Sequence, residues 1–270
     1  MPPPMDDAPP AAIAPAPVAR SEWRDFALFC IKLLFVVALV RSFVFAPFSI
    51  PSESMMPRLL VGDYLIVTKW PYGFSRYSLP YSVPLIPGRV LTTLPQRGDV
   101  VVFKEPPENN IDVIKRVIGL PGDTIRMKAG QLFINGTAVP KVQIADFIVP
   151  VSPNTHCLTP ASDHGSTCRY MRFRETLPGG RSYDVLDFGR YPADDTGDYR
   201  VPAGHVFLMG DDRDDSADSR LEAGGFGFVP IENLVGRAQF SVFSTDGSAN
   251  YLLPWTWFTA ARWHRIGEGF

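Results

Sequence analysis

The sequence predicts a mainly β protein: an antiparallel β domain with an inserted second β domain, preceded by one N-terminal transmembrane helix. Three observations lead there. The window from Phe26 to Phe48 is apolar and long enough to cross a bilayer core of about 30 Å. Beyond Pro51 the apolar runs shorten to strand length and close on Gly, Pro or Asp. The 27 prolines and 22 glycines suit many turns better than long helices.

The elements follow in order. Residues 1–23 begin "MPPPMDDAPPAAIAPAPVAR", a Pro/Ala-rich stretch too poor in large apolar groups to offset its ordering entropy, and are expected to be a disordered tail. Residues 24–46 form the anchor, with Lys32 able to snorkel and Arg41 marking an interface. Arg20 and Arg24 flank its start, which favours the tail inside. A buried core helix would satisfy the same apolar pattern. Residues 47–140 and 201–245 supply the main β domain through "DYLIVTKW", "GDVVVFKE", "DVIKRVIGL", "HVFLMGDD" and "GRAQFSVF". Asn135-Gly136 marks a two-residue hairpin, since both turn positions want positive φ. Residues 141–200 are polar and weakly periodic and read as an inserted β subdomain. Residues 246–270 are aromatic and basic, either packed on the β domain or lying on lipid headgroups.

A formal net charge of −2 gives no basic surplus, so nucleic acid is not an expected partner. Cys157 and Cys168 share one turn-rich segment and would close a loop as a disulfide in an oxidising compartment. A zinc site with His156 and His164 fits no standard spacing, and no metal is expected. Two free thiols are the remaining reading.

"PSESMMPRLLVGD" directly after the anchor places Ser52 and Ser54 where a nucleophile could work at a membrane surface. No Gly-x-Ser-x-Gly elbow occurs, and none of the four histidines is marked as a partner. A lysine can activate a serine instead, if its amine is neutral. Free lysine, with a pKa of about 10.4, is almost wholly charged at pH 7, and burial can lower that value by about 3–5. Lys115 sits in the apolar run "DVIKRVIGL" and is the candidate. On a strand it faces opposite to Arg116, so one of the two bases must point at an interior or a site. An edge strand with an outward lysine is the plainer alternative. "GDDRDDSADSR" follows an apolar strand; it lacks the Gly and Glu of an EF-hand loop and offers Ser216, Asp218 and Arg220 as orienting groups.

Taken in order behind one apolar segment, "PSESMMPRLLVGD", "GDVVVF", "VIKRVIGLPGD" and "GDDRDDSADSR…GFVP…LVGRA" resemble type I signal peptidases, the bacterial leader peptidases. The resemblance implies a membrane-bound serine endopeptidase of the inner membrane, single-pass, with its catalytic domain on the periplasmic face. Its partners would be secretory preproteins, cut after small-x-small sites such as Ala-x-Ala, and membrane lipid; no cofactor is needed. It implies Ser54 as nucleophile, Lys115 as general base, Ser52 with the Ser54 N–H as oxyanion hole, and Ser216 as hydrogen-bond partner of the lysine. Asp218 and Arg220 would hold the loops, and Phe48, Ile50, Pro51, Met55, Leu59 and Ile114 would line shallow pockets. Glu53 departs from the family pattern, which has Gly between the serines, and is expected to face solvent. The alternatives are a narrow-substrate maturation peptidase and a catalytically dead signal-peptide-binding protein.

Overall fold

A computed structural model describes residues 22–221, 224–250 and 252–270. Most of the expected tail, residues 1–21, lies outside the described residues. The chain divides into two units at Ala38/Leu39. Helix α1 (Glu22–Phe43) is 22 residues long, about 33 Å at the α-helical rise, and its apolar side chains are almost all exposed. It starts two residues before the expected anchor and ends three before its close, where strand β1 (Phe45–Ser49) takes over around Pro47.

The strands then run in chain order. After β1 come β2 (Asp63–Thr68), β3 (Phe74–Ser75), β4 (Arg89–Val90), β5 (Val100–Lys104) and β6 (Asp112–Gly119). Next are β7 (Thr124–Lys128), β8 (Gln131–Ile134), β9 (Thr137–Ala138), β10 (Lys141–Pro150), β11 (Thr167–Thr176) and β12 (Ser182–Leu186). The set closes with β13 (Tyr199–Arg200), β14 (His205–Met209), β15 (Val229–Pro230), β16 (Leu234–Ser244) and a short helix, α2 (Thr256–Ala260). The main sheet has seven strands in the order β1-β2-β16-β5-β6-β14-β15, with antiparallel neighbours. Its strands read as the sequence does. Val100 to Phe103 are all buried because β5 is covered on both faces.

Two smaller sheets complete the domain. β10-β11-β12 form one, drawn from residues 141–186. The other, β13-β7-β8-β9, joins residues 124–138 to Tyr199–Arg200. Residues 124–138, expected in the main β domain, pair in this smaller sheet: the Pro121-Gly122 turn ends β6, and Ile125, Leu132 and Ile134 pack with Val185 and Phe207. Asn135 and Gly136 adopt φ of 52° and 77°, the hairpin their sequence predicts.

Arg213 joins the three-stranded sheet to the loop after β14. It donates to both Glu175 oxygens of β11, at 2.7 and 2.6 Å, and Tyr183 Oη donates to the same carboxylate at 2.7 Å. Burial alone would raise the Glu175 pKa; Arg213 overcomes this and holds it below the usual carboxylate range. Glu175→Gln should cost about 3–5 kcal/mol of unfolding free energy in chemical denaturation, because Arg213 is left charged and buried. Arg174→Ala, on the exposed side of the same strand, should leave the midpoint unchanged.

Candidate active site

The serine loop is set by what its neighbours bury. Met55 and Leu59 pack beneath the main sheet with Ile50, Leu65 and Ile114, whereas Met56 and Leu60 pack beneath the three-stranded sheet with Val149, Tyr170 and Leu186. Two apolar pairs spaced four apart thus clamp one turn between two cores. Met55 and Leu59 are fully buried, one layer behind the surface they were expected to line. Asp63 closes the loop by accepting from Leu60 N–H at 2.9 Å, and Arg265 donates to both Asp63 oxygens and to the Arg58 carbonyl.

On this loop Ser54 Oγ lies 2.6 Å from Lys115 Nζ and 3.3 Å from Ser52 Oγ. The Ser54 N–H has no hydrogen-bond partner among the described residues. Its carbonyl accepts from Asp212 N–H at 3.1 Å, tying the serine loop to the acidic loop. Lys115 is 3% exposed and Arg116 is 4% exposed. Strand alternation sends them to opposite faces: Lys115 to the serine, Arg116 to Asp211 at 2.7 and 2.6 Å and to the Gly98 carbonyl. Arg116 also stacks on the Tyr183 ring at 4.4 Å. Burial lowers the Lys115 pKa to about 8, with Asp218 the strongest of the acids that oppose the drop.

Asp218 and Arg220 pair through two 2.9 Å contacts and are buried. Asp218 also accepts from Gly210 N–H at 3.0 Å, and Arg220 donates to the Arg213 carbonyl at 2.7 Å, so the pair folds the acidic loop on itself. Ser216 is buried beside this group, but its Oγ has no hydrogen-bond partner, so the contact with the lysine expected from sequence is not made. Glu53 does not face solvent. It is half-buried near Asp215 and His156; burial first, then Asp215, raise its pKa. Glu53 opens a turn in which its carbonyl accepts from Met56 N–H at 2.8 Å, and its side chain lies by Asp215 and His156.

Phe48, Ile50, Pro51, Ser52, Ile114 and Lys115 line a cavity of about 200 Å³. β14 pairs only with Arg116–Gly119 of β6, so the first half of β6 has a free backbone edge beside this cavity. Cys157 and Cys168 are bonded to each other, and Cys168 is buried against Tyr170. Among the described residues no group of three or more His, Cys, Asp or Glu could hold a metal ion.

Sequence reasoning missed Asp211, Arg213, Glu175 and Gly210. The first three carry no local signal, because their partners are distant in sequence. Gly210 had one: it stands where an apolar strand meets the acidic loop. A Cβ there would come within 2.2 Å of Ser216 Oγ and 2.5 Å of the Ser54 carbonyl oxygen.

The family model described as "Signal peptidase, peptidase S26" matches residues 23–243. A signal peptidase I of Rickettsia conorii is 36% identical over 269 residues, covering 92% of each chain. One from Rickettsia rickettsii is 38% identical over 239 residues, covering 84% of this chain and 80% of its own. The crystal structure of a signal peptidase I from Enterococcus faecalis aligns with 28% identity and a TM-score of 0.29, covering 54% of this chain and 97% of its own.

Gly210→Ala should lower peptidase kcat/KM at least tenfold while circular dichroism stays native, because the added methyl pushes on Ser216 and on the Ser54 carbonyl rather than on an apolar core. Unchanged kinetics would show that the two loops move independently.

Proposed function

Because the chain belongs to the signal peptidase, peptidase S26, family, we propose that Ser54 and Lys115 form its catalytic dyad and cut membrane-inserted preproteins after small-x-small sites. The chain is a serine endopeptidase of the signal peptidase I type, and its task is removal of signal peptides. The observation that carries the dyad is the 2.6 Å approach of a desolvated lysine to the serine hydroxyl. A binding protein without activity has no chemical need of that pair.

In this mechanism neutral Lys115 accepts the Ser54 proton as Oγ attacks the scissile carbonyl. The Ser54 N–H and the Ser52 hydroxyl face the developing oxyanion. Lys115, now an ammonium, protonates the leaving amine, and the acyl-enzyme forms. Water then attacks the acyl carbonyl while Lys115 takes its proton, and as the ester bond to Ser54 Oγ breaks the Lys115 ammonium returns a proton to that oxygen, freeing the carboxylic acid product and restoring Ser54. The substrate adds as an extended strand along the free edge of β6, in main-chain hydrogen bonds. Small side chains then fit the walls formed by Phe48, Ile50, Pro51 and Ile114.

Helix α1, apolar and 22 residues long, is proposed as a single span of the bacterial inner membrane. The bonded Cys157–Cys168 pair favours the oxidising outer side for the β domain. The cleft then opens where signal peptides emerge.

Ser54→Ala and Lys115→Met should each reduce cleavage of an Ala-x-Ala preprotein in detergent by at least about a thousandfold. Ser52→Ala should reduce it by about 10²–10³. Cleavage at wild-type rate by either of the first two variants would remove the dyad. A pH–rate profile checks the base separately. The lysine works unprotonated, so kcat/KM should fall as pH drops through about 8. An acidic limb near 10.4, the value of a free lysine, would rule out a desolvated base.

A further inference from the structure

The catalytic reading leaves Lys69 unused. Lys69 follows β2, is 4% exposed, and its ammonium makes no hydrogen bond or ion pair among the described residues. It lies over a π face, 5.7 Å from the centre of the Phe48 ring. Buried ammonium groups are almost always paired. Lys69 is instead crowded by like charge. It lines a cavity of about 200 Å³ with Arg41 and Lys104, and the hydroxyls of Ser78 and Ser82 lie on the same wall. Asp112 is the one acid there, and it is taken by Lys104 at 3.0 Å. Burial lowers the Lys69 pKa to about 8, with Asp112 opposing and Arg41 adding to the drop, so the amine is still mostly charged at pH 7.

The surroundings say where the missing anion comes from. Arg41 belongs to the last turn of α1. The segment that follows β2 exposes Trp70, Tyr81, Leu85, Leu91 and Leu94, with Tyr81 wholly exposed. Tyr81 and Ser82 hold φ of 57° and 54°, a backbone region unusual for residues other than glycine. A basic cavity lined by the exposed Tyr81, in a segment that exposes further aromatic and aliphatic side chains and next to the end of an apolar helix, has the chemistry of a membrane interface.

We propose that the cavity of Arg41, Lys69 and Lys104 binds the phosphate of an anionic phospholipid headgroup, with Trp70, Tyr81 and Leu85 seated among the acyl chains. Arg41 and Lys69 supply the two uncompensated positive charges, and the Ser78 and Ser82 hydroxyls can donate to phosphate oxygens. Phe48 lies between this cavity and the substrate cleft and lines both. A bound headgroup therefore sits against one wall of the active site. The inference rests on the proposed membrane insertion of α1.

The test uses the full chain in detergent micelles, equilibrated with equal phosphatidylglycerol and phosphatidylcholine and read by native mass spectrometry. Wild type should retain one phosphatidylglycerol in preference to phosphatidylcholine. Arg41→Gln, at an exposed position that does not threaten folding, should reduce that retention about fivefold. Lys69→Met should reduce it by at least as much, with a thermal melt confirming that the variant is folded. Equal retention of both lipids, or undiminished retention by both variants, would overturn the site. Displacement of the lipid by millimolar inorganic phosphate would overturn the lipid source in favour of a free anion. Release of the full chain from vesicles by alkaline carbonate would instead overturn the membrane reading beneath it.

Discussion

A buried lysine 2.6 Å from a serine hydroxyl sits against a loop of five aspartates, and that constraint organises the protein. Asp211, Asp212, Asp214, Asp215 and Asp218 all lie in one short segment after β14. Left ionised and free, they would hold Lys115 as an ammonium. Asp211 is given to Arg116, and Asp218 to Arg220, each through two short contacts. Burial then raises Asp212 to about 8, so it is mostly uncharged at pH 7, and raises Asp214 to about 6. The two acids that act most strongly on the amine, Asp218 and Asp211, are thus held in ion pairs, Asp215 acts more weakly, and desolvation wins.

The same arginines have a mechanical role. Buried pairs of this kind add little net stability over an apolar replacement, but leaving one partner alone is costly. They therefore restrict which arrangements are tolerated. Arg116 fixes the face of β6 opposite Lys115, Arg213 binds the acidic loop to β11, and Arg265 closes the serine loop from the far end of the chain. The hydrogen bond from Asp212 N–H to the Ser54 carbonyl then carries that order across to Ser54. The Ser54–Lys115 pair, with few direct hydrogen bonds of its own, is held by groups several residues away.

Much of the site was legible because its parts are local. A lysine in an apolar run, two serines after an anchor and an Asn-Gly hairpin each announce themselves within a dozen residues. The ordered four-segment resemblance placed Ser54 and Lys115 together before any coordinates did. What the sequence withheld is long-range. The partners Arg213–Glu175 and Arg265–Asp63 are set by folding and not by spacing. The register that gives residues 124–138 their own sheet depends on Tyr199 and Arg200. Met55 and Leu59 look like pocket lining because they follow the serine, yet the turn sends this pair into one core and Met56/Leu60 into another.

Glu53 shows how a departure in sequence can be absorbed by geometry. A carboxylate next to the nucleophile threatens the neutral amine only if it shares the face that the two serine hydroxyls share. The Ser52 and Ser54 hydroxyls lie 3.3 Å apart, while the Glu53 side chain lies by Asp215 and His156. Burial first, then Asp215, raise its pKa. The acids that do reach Lys115 most strongly are Asp218 and Asp211, and both already carry an arginine. A side chain in place of hydrogen at this position thus adds bulk toward the Cys157–Cys168 loop, and the electrostatic condition for a lysine base is left to the acidic loop.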